Sequence, residues 1–244
     1  MKQGVLVCVC LVLCFVFCAP VFAQPNTKSV ETILIDNFDD RDAVSFDWKV
    51  QTSRSIHVGE GDDVYPKMGY VEGIPNSLRG YRTASDPTPY VLGVQTKFDR
   101  KGDNWFEIYP VDKESGEIFE IPLKGTTSQI DFWAWGANYN YYLEVLIRDA
   151  EGCVHVLPAA TMNYQGWRNI VVGIPTSIHQ RSRLRSGPET ANFVGFRIRS
   201  DANEYVDDFV IYFDQLRYTT NTMNFIYDGF ELRKPNFDSE EAGR

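Results

Sequence analysis

Hydrophobic and polar residues alternate along most of this chain in runs too short for helices. Runs rich in Val, Ile, Phe, Tyr and Trp recur at Ile33–Phe38, Trp48–Ser53, Met68–Val71, Tyr90–Phe98, Trp105–Tyr109 and Ile118–Leu123. They continue at Gln129–Trp135, Tyr142–Arg148, Val154–Leu157, Trp167–Ile174, Phe193–Arg199 and Phe209–Tyr218. Gly, Pro, Asn and Asp separate them, which is the punctuation of β-strands. No long amphipathic helical pattern interrupts the series. Such spacing predicts an all-β sandwich or barrel rather than an alternating α/β fold.

Individual runs show their faces. In "YYLEVLIRDAEGCVHVLPAA", Asp149–Gly152 is a hairpin turn between two alternating segments. Leu143, Val145 and Ile147 share the face expected to line the core. The run "VIYFDQLRY" (210–218) is apolar on both faces yet carries Asp214. Strict alternation puts Asp214 with Val210, Tyr212 and Leu216, opposite Ile211, Phe213, Gln215 and Arg217. Asp214 is therefore expected to be a buried structural carboxylate held in a charge-assisted network, so that Asp214→Asn should lower stability.

The N-terminus departs from this pattern. Lys2 is followed by an unbroken apolar run from Val5 to Cys18, then by Val21-Phe22-Ala23. A charged start, an apolar middle and a small-residue site form an export leader, expected at residues 1–23 with cleavage before Gln24. The run is shorter than the roughly 20 residues of a membrane-spanning helix, and no transmembrane segment is expected. The rival arrangement is a lipoprotein lipidated at Cys18. Residues 24–234 are expected to form a single β-sandwich domain, and the polar, acidic 235–244 a disordered tail.

Charge and cysteine count narrow the function. Four of the five cysteines lie in the leader and only Cys153 remains, so no internal disulfide can form. Stability must come from a packed core. Losing Lys2 takes the formal charge from −9 to −10, which disfavours nucleic acid or anionic lipid as partner.

Catalytic and cofactor chemistry finds little footing. The chain has no G-x-S-x-G elbow and no Gly-rich phosphate loop, and His57, His155 and His179 lack metal-ligand spacing. Glu107 and Glu144 lie in aromatic strands and are the available pair for a glycosidase, the weakest reading, or else two solvent-facing side chains. No cofactor is expected. A structural Ca²⁺ is a weak alternative, with Asp39, Asp40 and Asp214 as candidate ligands, and turn capping is the competing role. First and last strands of a sandwich often pair, which would bring Asp214 near the opening acidic segment.

Two features suggest contacts. In "DFWAWGANYNYY", Asp131, Trp133 and Trp135 share a strand face. With Trp167 they offer either a sugar-stacking platform or rings that fill the core or an interface. Arg181, Arg183 and Arg185 alternate in a polar loop, either solvated or paired with an acidic partner surface.

Taken in order, "DFWAWGANYNYYLEVLIRDAEG", "GWRNIVVGIPTSI", "FVGFRIRS" and "DDFVIYFDQLRY" resemble the outer-layer, or sheath, proteins of the spirochaete periplasmic flagellar filament, the FlaA family. The opening "DNFDDRDAVSFDW" and the closing "YDGFEL" extend the likeness over most of the mature chain. The resemblance implies a non-enzymatic structural protein of the periplasm, laid around a core of flagellin beside other sheath subunits and supporting motility. Similarity of its last strand to those of sugar-binding jelly rolls implies a jelly-roll-like β-sandwich with a structural Asp214. A secreted carbohydrate-binding module without catalytic activity, taking a glycan, is the alternative.

Overall fold

The computed structural model describes residues 30–181 and 190–222. The expected leader, the acidic tail, Arg183, Arg185 and "YDGFEL" lie outside the described residues. The rest is an all-β, jelly-roll-like sandwich of two antiparallel sheets. Its strands are β1 (Val30–Asp36), β2 (Phe46–Thr52), β3 (Lys67–Glu72), β4 (Tyr90–Thr96), β5 (Trp105–Asp112) and β6 (Ile121–Pro122). They continue with β7 (Thr126–Ala137), β8 (Tyr141–Arg148), β9 (Val154–Thr161), β10 (Gln165–Gly173), β11 (Asn192–Ser200) and β12 (Phe209–Asn221). Among the described residues one short α-helix, α1 (Asn76–Arg79), lies between β3 and β4, and single 3-10 turns occur at Arg41–Ala43 and Gly61–Asp63. No helix among the described residues is long and apolar enough to cross a membrane.

The first sheet runs β10-β7-β12-β4-β3, with β1 also on β12; the second runs β2-β5-β11-β8-β9, with β6 on β11. The chain crosses repeatedly from one sheet to the other. That crossing follows from composition, because each sheet has one apolar face that must be covered by the other. Leu143, Val145 and Ile147 are all buried, as their alternation implies. Aromatic rings fill the space between the layers. Phe196 of the second sheet contacts Phe132 and Phe213 of the first, with ring centroids 4.8 and 4.6 Å apart. Tyr141 and Phe209 stack at 3.9 Å across the same gap.

Strict alternation fails in β12. Phe209, Ile211 and Phe213 are buried, but then Leu216, Tyr218 and Thr220 are. The register with β7 shifts between Asp214 and Arg217, and Gln215 adopts φ +52°. This is a β-bulge, and its extra residue flips the phase of the strand. Gln215 and Arg217 therefore do not share a face with Ile211 and Phe213, as unbroken alternation required. β1 pairs with the second half of β12, placing Asp36 opposite Leu216. The expected pairing of first and last strands is present.

Close approach is tightest at one glycine. Gly195 sits where β11 shifts register against β8, at φ +155°. A Cβ there would lie 2.3 Å from the Ile108 carbonyl oxygen.

Candidate functional site

Both sheets carry organised side chains on their outer faces. On β7 the even positions Phe132 and Ala134 are wholly buried, so Asp131, Trp133 and Trp135 point outward. Register places Trp167 of β10 beside Trp135 and Tyr212 of β12 on its other side. The Trp135 and Tyr212 rings meet edge to face, 5.4 Å apart. Tyr212 lies over Gly93 of β4, where a Cβ would come within 2.8 Å of the ring. The next rung is Asn169, Trp133 and Asp214. The Trp133 indole nitrogen and the Asn169 amide nitrogen are buried with no hydrogen-bond partner among the described residues. Beyond them Arg217 pairs with Asp131. The three tryptophans are thus neighbours on an outer sheet face, half-buried, and do not fill the sandwich core.

Arg181 is exposed and its guanidinium reaches Thr126 Oγ1 at 3.4 Å. Thr126 opens β7, so at about 3.3 Å per residue this contact lies roughly 23 Å along the strand from Trp133. The arginine and the tryptophan rungs are separate features.

The opening acids meet β12 at the sandwich edge. Asp39 accepts hydrogen bonds from Arg82 Nη1 and from the Tyr90 amide, each at 2.9 Å. Asp40 caps the following turn, accepting from the Asp42 amide at 2.9 Å, and is exposed. Asp214 is only 4% exposed. Burial pushes its carboxyl up to about 7, and the nearby Asp39 charge adds to this. The Gln215 amide and the Arg82 charge oppose the shift more weakly. Loss of water outweighs the donors at Asp214, where the sequence pattern alone suggests a donor-held carboxylate. Asp36 is raised as well, also by burial, although it accepts from Trp48 and the Phe38 amide. Arg82 is the cation paired with Asp39 in this cluster, and no group of three or more metal-ligating side chains occurs among the described residues.

The second sheet places Glu107 and Glu144 in a longer row of polar side chains, with Glu144 buried rather than solvent-facing. Gln51, Glu107, Arg197, Glu144 and Pro158 lie in register across β2, β5, β11, β8 and β9. The rung beside it is Trp105, Arg199 and Tyr142. Arg197 pairs with Glu107 at 2.7 Å, and Arg199 with Glu144 at 3.0 Å. A groove of about 620 Å³ opens over these side chains. With guanidinium partners on both, Glu107 and Glu144 form part of a fixed ion-paired row, a poor setting for a general acid. The arginines were legible as alternate positions of "FRIRS", but their registry with two glutamates is a property of strand pairing.

Fold and surface together define an all-β sandwich with patterned polar and aromatic outer faces. The family model described as "Flagellar filament outer layer protein Flaa" matches residues 79–226, which contain β4 to β12. The chain belongs to the FlaA family of flagellar filament outer layer proteins. It is 27% identical over 200 residues to a flagellar filament outer layer-like protein of Brachyspira hyodysenteriae, covering 80% of this chain and 81% of that one. Among solved structures it is similar to a family 11 carbohydrate-binding module of a Clostridium thermocellum cellulase (13% identity, TM-score 0.39, 81% of this chain and 98% of that one). It is also similar to a carbohydrate-binding module of the β-sandwich superfamily (11% identity, TM-score 0.45, 76% and 61%).

Proposed function

We propose that this protein is a non-catalytic subunit of the sheath that coats the flagellin core of a periplasmic flagellar filament. Its leader, residues 1–23, directs export, and the mature chain assembles in the periplasm and supports motility. The observation that carries this reading is the family match across β4 to β12. A coating subunit repeats heterologous contacts along a helical lattice, to the core and to its own neighbours. The half-buried Trp133, Trp135 and Trp167 on one sheet face supply contact area for such packing. Arg181, Arg183 and Arg185 suit an acidic neighbouring surface, contributing register and salt sensitivity more than affinity. Co-sedimentation of the mature chain with purified core filaments tests the proposal. Binding that weakens in Trp135→Ala supports it; no binding at low or moderate salt overturns it.

A second reading, a secreted carbohydrate-binding module, is favoured by the aligned Trp167, Trp135 and Tyr212 rings. Recovery of glycans without flagellins from envelope extracts would favour that reading.

A further inference from the structure

We propose that the groove on the outer face of the second sheet is a binding site for a neutral saccharide, separate from the tryptophan face of the first sheet. The proposal rests on four features of the groove.

The first is an unmet acceptor. Glu144 is only 8% exposed and lines the groove. Its Oε1 is engaged by Arg199, but Oε2 is buried with no hydrogen-bond partner among the described residues. A buried carboxylate oxygen without a donor is costly, so Glu144 sits at the groove floor with hydrogen-bonding capacity unfilled.

The second is the order of polar groups. Donors and acceptors alternate along Gln51, Glu107, Arg197 and Glu144. Arg197 uses Nε and Nη2 on Glu107, and Arg199 uses Nε and Nη2 on Glu144. Each guanidinium has five N–H groups, so donors remain on both. Every sugar hydroxyl can donate and accept at once, and a pair of vicinal hydroxyls matches a planar group beside a carboxylate. Because the ion pairs hold these side chains in place, little ordering is left for binding to cost.

The third is an apolar surface. Trp105 lines the same groove, half-buried, in the rung with Arg199. A ring face packs against the apolar C–H side of a pyranose. The groove also continues. A second hollow of about 330 Å³ shares Glu144 and Arg199 and runs on over Tyr142, Pro158 and Thr161. From β5 to β9 the surface crosses three strand spacings, roughly 14 Å. That length suits a short oligosaccharide better than a single sugar.

The fourth is charge, which excludes alternatives. Both arginines already face carboxylates, and Asp103 adds a further acid at the rim. Anions such as phosphate groups find no uncommitted cation in this row. The neutral polyhydroxyl class uses every group present and asks for no new charge.

The test uses the mature full-length chain in titration calorimetry against gluco-, galacto- and N-acetylglucosamine oligosaccharides, each up to about 5 mM, a range that detects weak sites. At least one is expected to bind. Trp105→Ala should weaken it about tenfold or more, as loss of a stacking partner does. Glu144→Gln keeps the shape, replaces an acceptor by a donor and loses the Arg199 ion pair, and should weaken binding by about tenfold as well. Melting curves accompany both variants, and Glu144→Gln, being isosteric, provides the second arm should Trp105→Ala unfold. No binding by any saccharide overturns the proposal. So does binding that survives both substitutions, or that is lost in Trp135→Ala instead, which would place the sugar on the first sheet. Loss of filament co-sedimentation in Trp105→Ala without any saccharide binding would make the groove a protein contact, and also overturns it. The calorimetry contains no filament, so whether a saccharide binds is decided independently of the sheath reading.

Discussion

The Trp48 indole N–H donates to the Asp36 carboxylate at 2.9 Å inside the core, joining the first strand of one sheet to the first strand of the other. Trp48 packs there against Phe38, Phe46, Phe193 and Phe196. Replacing it with Phe would keep much of the apolar contact but leave a carboxylate oxygen without its donor. Trp48→Phe is expected to cost about 1–3 kcal/mol, measured by denaturant unfolding. A variant as stable as the parent would show that the inter-sheet bond contributes nothing net.

Asp214 sets a pH dependence of definite sign. Its folded pKa is raised to about 7 from an ordinary 3.8. Between those values the folded state binds more protons than the unfolded state. Stability from this group is thus present below about pH 4 and lost as pH rises through 7. Asp214→Asn removes a buried charge, and should raise the melting temperature more at pH 8 than at pH 5, while changing it little below about pH 4. The gain is expected to be about 1–3 kcal/mol larger at pH 8 than at pH 5. A lower melting temperature at pH 8 would restore a donor-held carboxylate.

His57 offers a second titration at a distant surface. Its Nδ1 lies 2.5 Å from Asp99 and its Nε2 2.8 Å from Asp63. These two carboxylates raise its pKa above 6.5, Asp99 foremost. The stability this brings is complete below pH 6.5 and lost as pH rises through the raised value. An NMR titration of the His57 ring should give a midpoint above 6.5, and Asp99→Asn should move it down. An unmoved midpoint in that variant would contradict the contact.

Gly195 is the position where one added carbon matters most. Its Cβ would meet the Ile108 carbonyl at 2.3 Å, a backbone atom that cannot swing aside. Gly195→Ala is expected to lower stability by about 3 kcal/mol or more, or to prevent folding. Circular dichroism and thermal melting decide it. A melting temperature within a few degrees of the parent would mean that β5 and β11 are not so closely apposed.

Period-two alternation and turn residues determined the all-β class, nearly every strand and the inward face of β8, because burial on one side of a sheet writes itself locally into sequence. The ordered motifs likewise carried the family. Tertiary structure alone decided the rest. The bulge at Gln215 reverses the phase of β12, and no local pattern announces where an extra residue will be looped out. Alternation placed Trp133 and Trp135 on one face, but only the partner strands reveal that this face lies outside the core beside Trp167 and Tyr212. Asp214 was legible as buried; that loss of water outweighs its donors depends on Asp39 and Arg82, more than a hundred positions away. Glu107, Glu144 and Arg197 acquire meaning only together, because strand register between β5, β8 and β11 is set by packing of the opposite, apolar face.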